Sequence, residues 1–266
     1  MNACSIVDLG LIPYAEAWEL QKRVVAARKA GAIEDVLLFC EHSHVITLGR
    51  SGNRANLLAG ENILRQKGVE YFETTRGGDI TYHGPGQIVG YPILNLGAIR
   101  RDVVWYVRTL EEAMIRATAE LGINARREPG KTGIWVQPAG TQRDSRVTTV
   151  IPSAGEESAV ELSNERAPEK LAAIGVHISR WVTSHGFAYN VSTDLRYFEL
   201  IVPCGVADRK ATSLEKLLGR NVSLAEIRPL LAKHIGEVFG LAVRTAEPAE
   251  LFAQLEQFEQ ALPVSA

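Results

Sequence analysis

Cysteine is scarce in this chain, with three among 266 residues. So small and odd a number excludes a disulfide framework, and each thiol needs its own account. A dominant sign of charge is missing too: Lys and Arg total 29 against 31 Asp and Glu. That balance excludes the strongly basic footprint of an electrostatic nucleic-acid binder. No apolar run approaches the ~18 residues needed to span a bilayer. Met1 to Gly10 includes Asn2, Ser5 and Asp8 and lacks the basic start and apolar stretch of a secretory signal. No internal repeat or Pro/Gly-rich linker is evident. The expectation is a cytoplasmic protein of one domain, residues 1–266, with neither nucleic acid nor membrane as partner.

What is present has clear periodicity. Ser5–Leu9 reads as a strand. Pro13 opens a helical stripe of Tyr14, Ala17, Trp18, Val24 and Val25 that Gly31 closes, the usual asymmetry of helix ends. Asp35–Cys40, Val45–Leu48, Ile80–Tyr82 and Gln87–Leu94 are β-rich runs. Val103, Val107, Leu110, Met114, Ala117 and Leu121 alternate by four and three, a helix that Gly122 ends. Strands resume at Gly133–Val136, Ala172–Ser179 and Gly186–Val191. Leu214–Leu218, Leu224–Phe239 and Pro248–Ala261 read as helices around a short strand, Leu241–Arg244. The polar stretch 139–169 has little apolar periodicity and is expected to be an exposed, mobile insertion. Strand clusters separated by single helices predict an α+β, mixed α/β fold.

Three features carry candidate chemistry. Arg76-Gly-Gly-Asp-Ile-Thr-Tyr-His-Gly-Pro-Gly-Gln87 packs four glycines and a proline into twelve residues; such a backbone either binds a ligand closely or turns a corner. No Gly-Lys-Ser/Thr follows it and a strand-like run does, which disfavours a phosphate cradle. Pro203-Cys204-Gly205 puts a cysteine at a turn, either an inert buried thiol or a nucleophile that needs a neighbouring base or cation. Lys170 stands at the mouth of the apolar run Leu-Ala-Ala-Ile-Gly; alone it reads as a solvated residue, and beside a cysteine its charge would favour the thiolate. Cys40-x-His42-x-His44 would align three soft ligands on one continuous strand, but no fourth zinc ligand has suitable spacing. Cys40 reads as core and His42 as a site-lining residue; no metal is expected.

Taken in order, the Arg76–Gln87 stretch, Lys170-Leu-Ala-Ala-Ile-Gly175, Ser184-His-Gly-Phe-Ala-Tyr-Asn190 and Pro203-Cys-Gly205 resemble the lipoyl(octanoyl) transferases. Glu41-His-Ser-His-Val-Ile-Thr-Leu-Gly49, Gly90-Tyr-Pro-Ile-Leu-Asn-Leu96 and Thr132-Gly-Ile-Trp-Val136 add to the likeness, which runs from about Asp35 to Leu214. The resemblance implies a biotin/lipoate protein ligase-like catalytic domain, a mixed β-sheet flanked by helices. It implies transfer of an octanoyl group from octanoyl-acyl-carrier-protein to a lysine of lipoyl domains, in 2-oxoacid dehydrogenases and the glycine cleavage H protein, without a cofactor. Cys204 would be the nucleophile and Lys170 its pKa-lowering partner and acid/base. Arg76, Gly77, Gly78, Asp79, Ile80, Thr81, Tyr82, His83, Ala173, Ile174, Gly175, Gly186, Phe187 and Ala188 would line the acyl site. Glycines 77, 78, 175 and 186 would pack against a saturated chain or offer amides to an oxyanion. The alternative within the same fold is an ATP-dependent lipoate or biotin ligase, which needs no cysteine.

Overall fold

The computed structural model describes residues 2–138, 167–202 and 210–262. Cys204 and residues 139–166 of the expected insertion lie outside the described residues. In chain order the elements are β1 (Asn2–Leu11), α1 (Tyr14–Ala30), β2 (Asp35–Glu41), β3 (Val45–Leu48), α2 (Glu61–Gln66), β4 (Glu70–Glu73), β5 (Ile80–His83), β6 (Gln87–Ile93), α3 (Leu96–Ile99) and α4 (Val103–Ala119). They continue with β7 (Ala125–Arg126), β8 (Ile134–Val136), β9 (Glu169–Ser179), β10 (Val182–Asn190), α5 (Leu214–Leu218), α6 (Leu224–Phe239), β11 (Leu241–Thr245) and α7 (Pro248–Gln260). Glu169 already belongs to β9, so the expected insertion runs one residue too far: Lys170 pairs with Trp135 and Glu169 with Val136. Cross-strand pairing decides that boundary, and local polarity does not.

Two sheets organise the chain. The larger has the order β11-β1-β2-β6-β10-β9-β8-β7, and the smaller β4-β3-β5. Only β1 is parallel to its neighbours in the larger sheet, pairing β11 and β2; the other pairs are antiparallel, so the sheet is mixed. One face of that sheet packs on α4 and α6 through Leu110, Met114, Ile227 and Leu231, all buried. The other packs on α1 and α7 through Ala17, Val24, Leu251 and Leu255. Alternating strand residues feed these two cores, as the period of two requires. Short elements escaped the sequence reading: α2 has six residues and β4 four, too few for a periodic signal.

A buried carboxylate fastens α4 to the β8 edge. Glu111, fully buried, accepts hydrogen bonds from Arg108 Nη1 at 2.7 Å, Arg127 Nε at 3.1 Å and the Gly133 amide at 3.0 Å. Gly133 sits at φ +98°, and a Cβ there would meet the Ala172 carbonyl at 2.2 Å. The backbone just before β8 is therefore set by one glycine and one carboxylate. Glu111→Ala is expected to cost about 2–3 kcal/mol, the worth of charged hydrogen bonds whose partners are then left unmet. A denaturant midpoint unchanged from the parent protein would refute this.

Candidate active site

The two sheets meet at Arg76. Its guanidinium is buried and donates from Nη2 to the Thr47 carbonyl at 2.6 Å and to Thr47 Oγ1 at 2.9 Å, with Nε on the same hydroxyl at 3.1 Å. The next residue, Gly77, donates its amide to the Val176 carbonyl of β9 at 2.9 Å. Arg76 thus holds β3 while Gly77 holds β9. A Cβ on Gly175 would approach the Gly77 carbonyl to 2.8 Å, so the close contact demands glycine there. The corner after β5 is equally fixed: the Gly86 carbonyl accepts from Val191, Ser192 and Thr193 Oγ1. The glycine-rich stretch therefore both turns a corner and lines a cavity.

That cavity, about 540 Å³, lies between the sheets. Its wall includes Arg76, Gly78, Asp79, Ile80, Thr81, His83, Lys170, Ala173, Ile174, Gly175, Gly186, Phe187 and Ala188. Two expected lining residues are not on it. Gly77 is behind the wall with its amide committed to Val176, so it offers nothing to an oxyanion. Tyr82 is off the wall, its ring stacked on Tyr197 at 5.1 Å. His42 is also displaced from its expected place: β2 ends at Glu41 and β3 begins at Val45, so Cys40, His42 and His44 share no strand. His42 stands one layer back, holding the lining residue Tyr91 by its hydroxyl at 2.7 Å. No group of metal-ligating side chains exists among the described residues.

The wall also contains residues not expected on it from the sequence, among them Tyr91, Trp135 and His185, which fall within the stretches that carry the resemblance, and Tyr14, Val89 and Lys210, which do not. No local signal marks Tyr14 or Val89, which read as ordinary core positions. At one end Lys170 Nζ lies 4.6 Å from the centre of the Trp135 ring, with Lys131 Nζ 5.4 Å from the same ring. These cation–π contacts hold both side chains against the indole face. The backbone of Lys170 is stitched on both sides: its amide donates to the Lys210 carbonyl and its carbonyl accepts from Thr212, each at 2.9 Å. Asn190 Nδ2 donates to the Thr212 carbonyl at 3.0 Å, and Gln87 Nε2 to Asn190 Oδ1 at 2.9 Å. The chain that resumes after residue 209 is thereby bound to Lys170 and to the cavity wall.

Of the described cysteines, neither suits a nucleophile. Burial pushes the Cys4 thiol up to about 12, and burial raises Cys40 further. Three histidines around Arg76 are held neutral. Burial, then His42 and Arg76, lowers His83 to about 3; burial and Arg76 lower His185 to about 4; burial alone lowers His42 to about 4 against a bond to Ile12 that raises it. The bonds assign tautomers: His83 Nδ1 donates to Gln87 Oε1 at 2.8 Å, and His42 Nδ1 donates to the Ile12 carbonyl at 2.8 Å.

Because these three pKa values lie below the ordinary 6.5, the unfolded chain binds more protons than the native one between those limits. Their contribution to stability is complete above about pH 6.5 and is lost as the pH falls toward 3–4, by up to ~1.4 kcal/mol per pH unit for each histidine. Denaturant titrations across pH 4–7 should show this steep acid limb, flattened in His83→Gln; an identical slope in that variant would count against the assignment.

Residues 13–236 match the family described as the lipoyl protein ligase A/B catalytic domain. The chain is 48% identical over 239 residues to the octanoyltransferase of Solibacter usitatus, covering 90% of this chain and 94% of that one. It is 44% identical over 266 residues to the octanoyltransferase of Acidobacterium capsulatum, covering 96% and 98%. Among solved structures, a bi-partite lipoate protein ligase from Thermoplasma acidophilum superposes with a TM-score of 0.69 at 15% identity, covering 98% of this chain and 93% of that one. Lipoate-protein ligase A bound with ATP gives 0.67 at 16% identity, covering 98% and 95%; both likenesses bear on the fold alone. The chain belongs to the lipoyl protein ligase A/B catalytic-domain family and, within it, to the octanoyltransferases.

Proposed function

We propose that the chain moves an octanoyl group from the thioester of acyl carrier protein to a lysine of a lipoyl domain, with Cys204 as nucleophile and Lys170 as its partner. The observation that carries this reading is Lys170 itself: a cation on the wall of a mostly apolar cavity, bonded through its backbone to Lys210 and Thr212, where the described chain resumes after Cys204. Cys4 and Cys40 are buried with raised pKa values, which leaves Cys204 as the candidate thiol.

The chemistry balances in two steps. The Cys204 thiolate attacks the octanoyl carbonyl, the carrier's sulfur leaves as a thiol on gaining a proton from Lys170, and an octanoyl thioester remains on Cys204. The amine of the acceptor lysine then attacks that thioester; Lys170 takes the proton the nitrogen gives up, and Cys204 leaves as thiolate. Exchange between thioesters is nearly neutral and conversion to an amide is downhill, so no ATP is required. Ala173, Gly175, Gly186, Phe187 and Ala188 would hold the saturated tail, and the Lys170 charge would keep Cys204 ionised.

Intact mass after incubation with octanoyl acyl carrier protein, without ATP, should show one added octanoyl group that Cys204→Ser abolishes. Activity that appears only when ATP is added, with no adduct at low pH, would favour the ligase reading. Lys170→Ala should move the alkylation of Cys204 by a thiol reagent to higher pH, and an unchanged profile would reject the proposed coupling.

A further inference from the structure

The register of three strands lays a straight floor across the cavity. Ala173 of β9 pairs with Ala188 of β10, and Ala188 pairs with Val89 of β6. Directly paired residues project to the same face, so these three side chains form one row running perpendicular to the strands. All three line the cavity. The first two are methyl groups, which leaves depth above them; Val89 is larger and buried. The row continues to Cys40 of β2, which pairs with Val89 but is fully buried in the core against α1 and is absent from the cavity wall. The channel therefore ends at Val89.

Tyr14 closes it from above. This residue, at the first turn of α1, is 2% exposed and lines the cavity. Its ring is wedged among His83 at 6.3 Å, nearly parallel, His42 at 5.4 Å and Phe72 at 5.3 Å. Tyr91, on the same face of β6 as Val89, is fixed by the bond from its hydroxyl to His42. The end wall is thus held by rings that have nowhere to retreat.

Two strand spacings separate Ala173 from Val89, about 10 Å. A saturated chain with tetrahedral carbons advances ~1.25 Å per bond, so the seven C–C bonds of an octanoyl group reach about 9 Å. Lys170, on the wall three residues before Ala173, stands at the opposite end from Tyr14. We propose that Tyr14 and Val89 are the stop that measures acyl length, and that Ala188 keeps the path to that stop open. This rests on the acyl-transfer reading of the site and adds to it the residues that select the substrate.

Two substitutions should act in opposite directions. In Tyr14→Ala the stop recedes, and the ratio of kcat/KM for dodecanoyl over octanoyl donor should rise about tenfold or more, within the range one to a few methylenes command in an apolar pocket. In Ala188→Val the path is blocked midway, and the butanoyl-to-octanoyl ratio should rise similarly. Equilibrium binding of free butanoate, octanoate and dodecanoate, followed by calorimetry, supplies a readout that needs no turnover. General damage to the fold would lower all chain lengths together, and unchanged ratios in both variants, by rate and by binding, would overturn the proposal. Binding that follows this length rule in a protein that transfers no acyl group would sink the catalytic reading and leave the ruler standing.

Discussion

The clamp at Arg76 and Gly77 is the contact on which the rest of the site depends. One residue's guanidinium is bound to Thr47 on the small sheet, while its neighbour's amide is bound to Val176 on the large one. Together with the bonds from Gln87 to His83 and Tyr82, that pair of bonds sets the spacing of the two sheets and so the width of the cavity between them. A buried guanidinium is expensive unless its donors are met, and here the Thr47 carbonyl and hydroxyl and the Gly77 carbonyl meet them. The same charge contributes to keeping His83 and His185 neutral, so the clamp sets the electrostatics of the inner wall as well as its geometry.

From that clamp the cavity acquires two unlike ends. Toward β8 it carries ammonium groups on Lys131 and Lys170 against the Trp135 face. Toward β6 it is closed by Tyr14, Val89 and Tyr91. Between them the floor is made of alanine and glycine, whose lack of bulk leaves room for a ligand without opening the sheet. A polar reacting centre at one end and an apolar tail toward the other is the division that such a wall can accommodate.

Much of the fold was legible because the local signals agreed. Pro13 and Gly31 bound α1 at both ends, and the four-and-three spacing from Val103 placed α4. Glycines of the Arg76–Gln87 stretch announced unusual backbone, yet composition did not say what it was for; it turns a corner and lines the cavity. Asp35–Cys40 and Val45–Leu48 were legible as two separate β runs, but not that they belong to different sheets. Gly77 and Tyr82 were assigned to the wall as part of a contiguous stretch, whereas the Gly77 amide is bonded to Val176 and the Tyr82 ring stacks on Tyr197.

By itself the sequence determined the longer elements, the order of the chemistry-bearing stretches and the resemblance they carry, because capping, periodicity and turn residues act over a few positions. Only the tertiary structure decided which of those residues share a cavity. Tyr14, Val89 and Ala188 are far apart in the chain and meet through strand register and helix packing. Lys170 looked like a solvated strand start; its place against Trp135, Lys210 and Thr212 comes from contacts that no window of sequence contains. Long-range pairing has no local signature, which is why the elements could be read along the chain and the cavity could not.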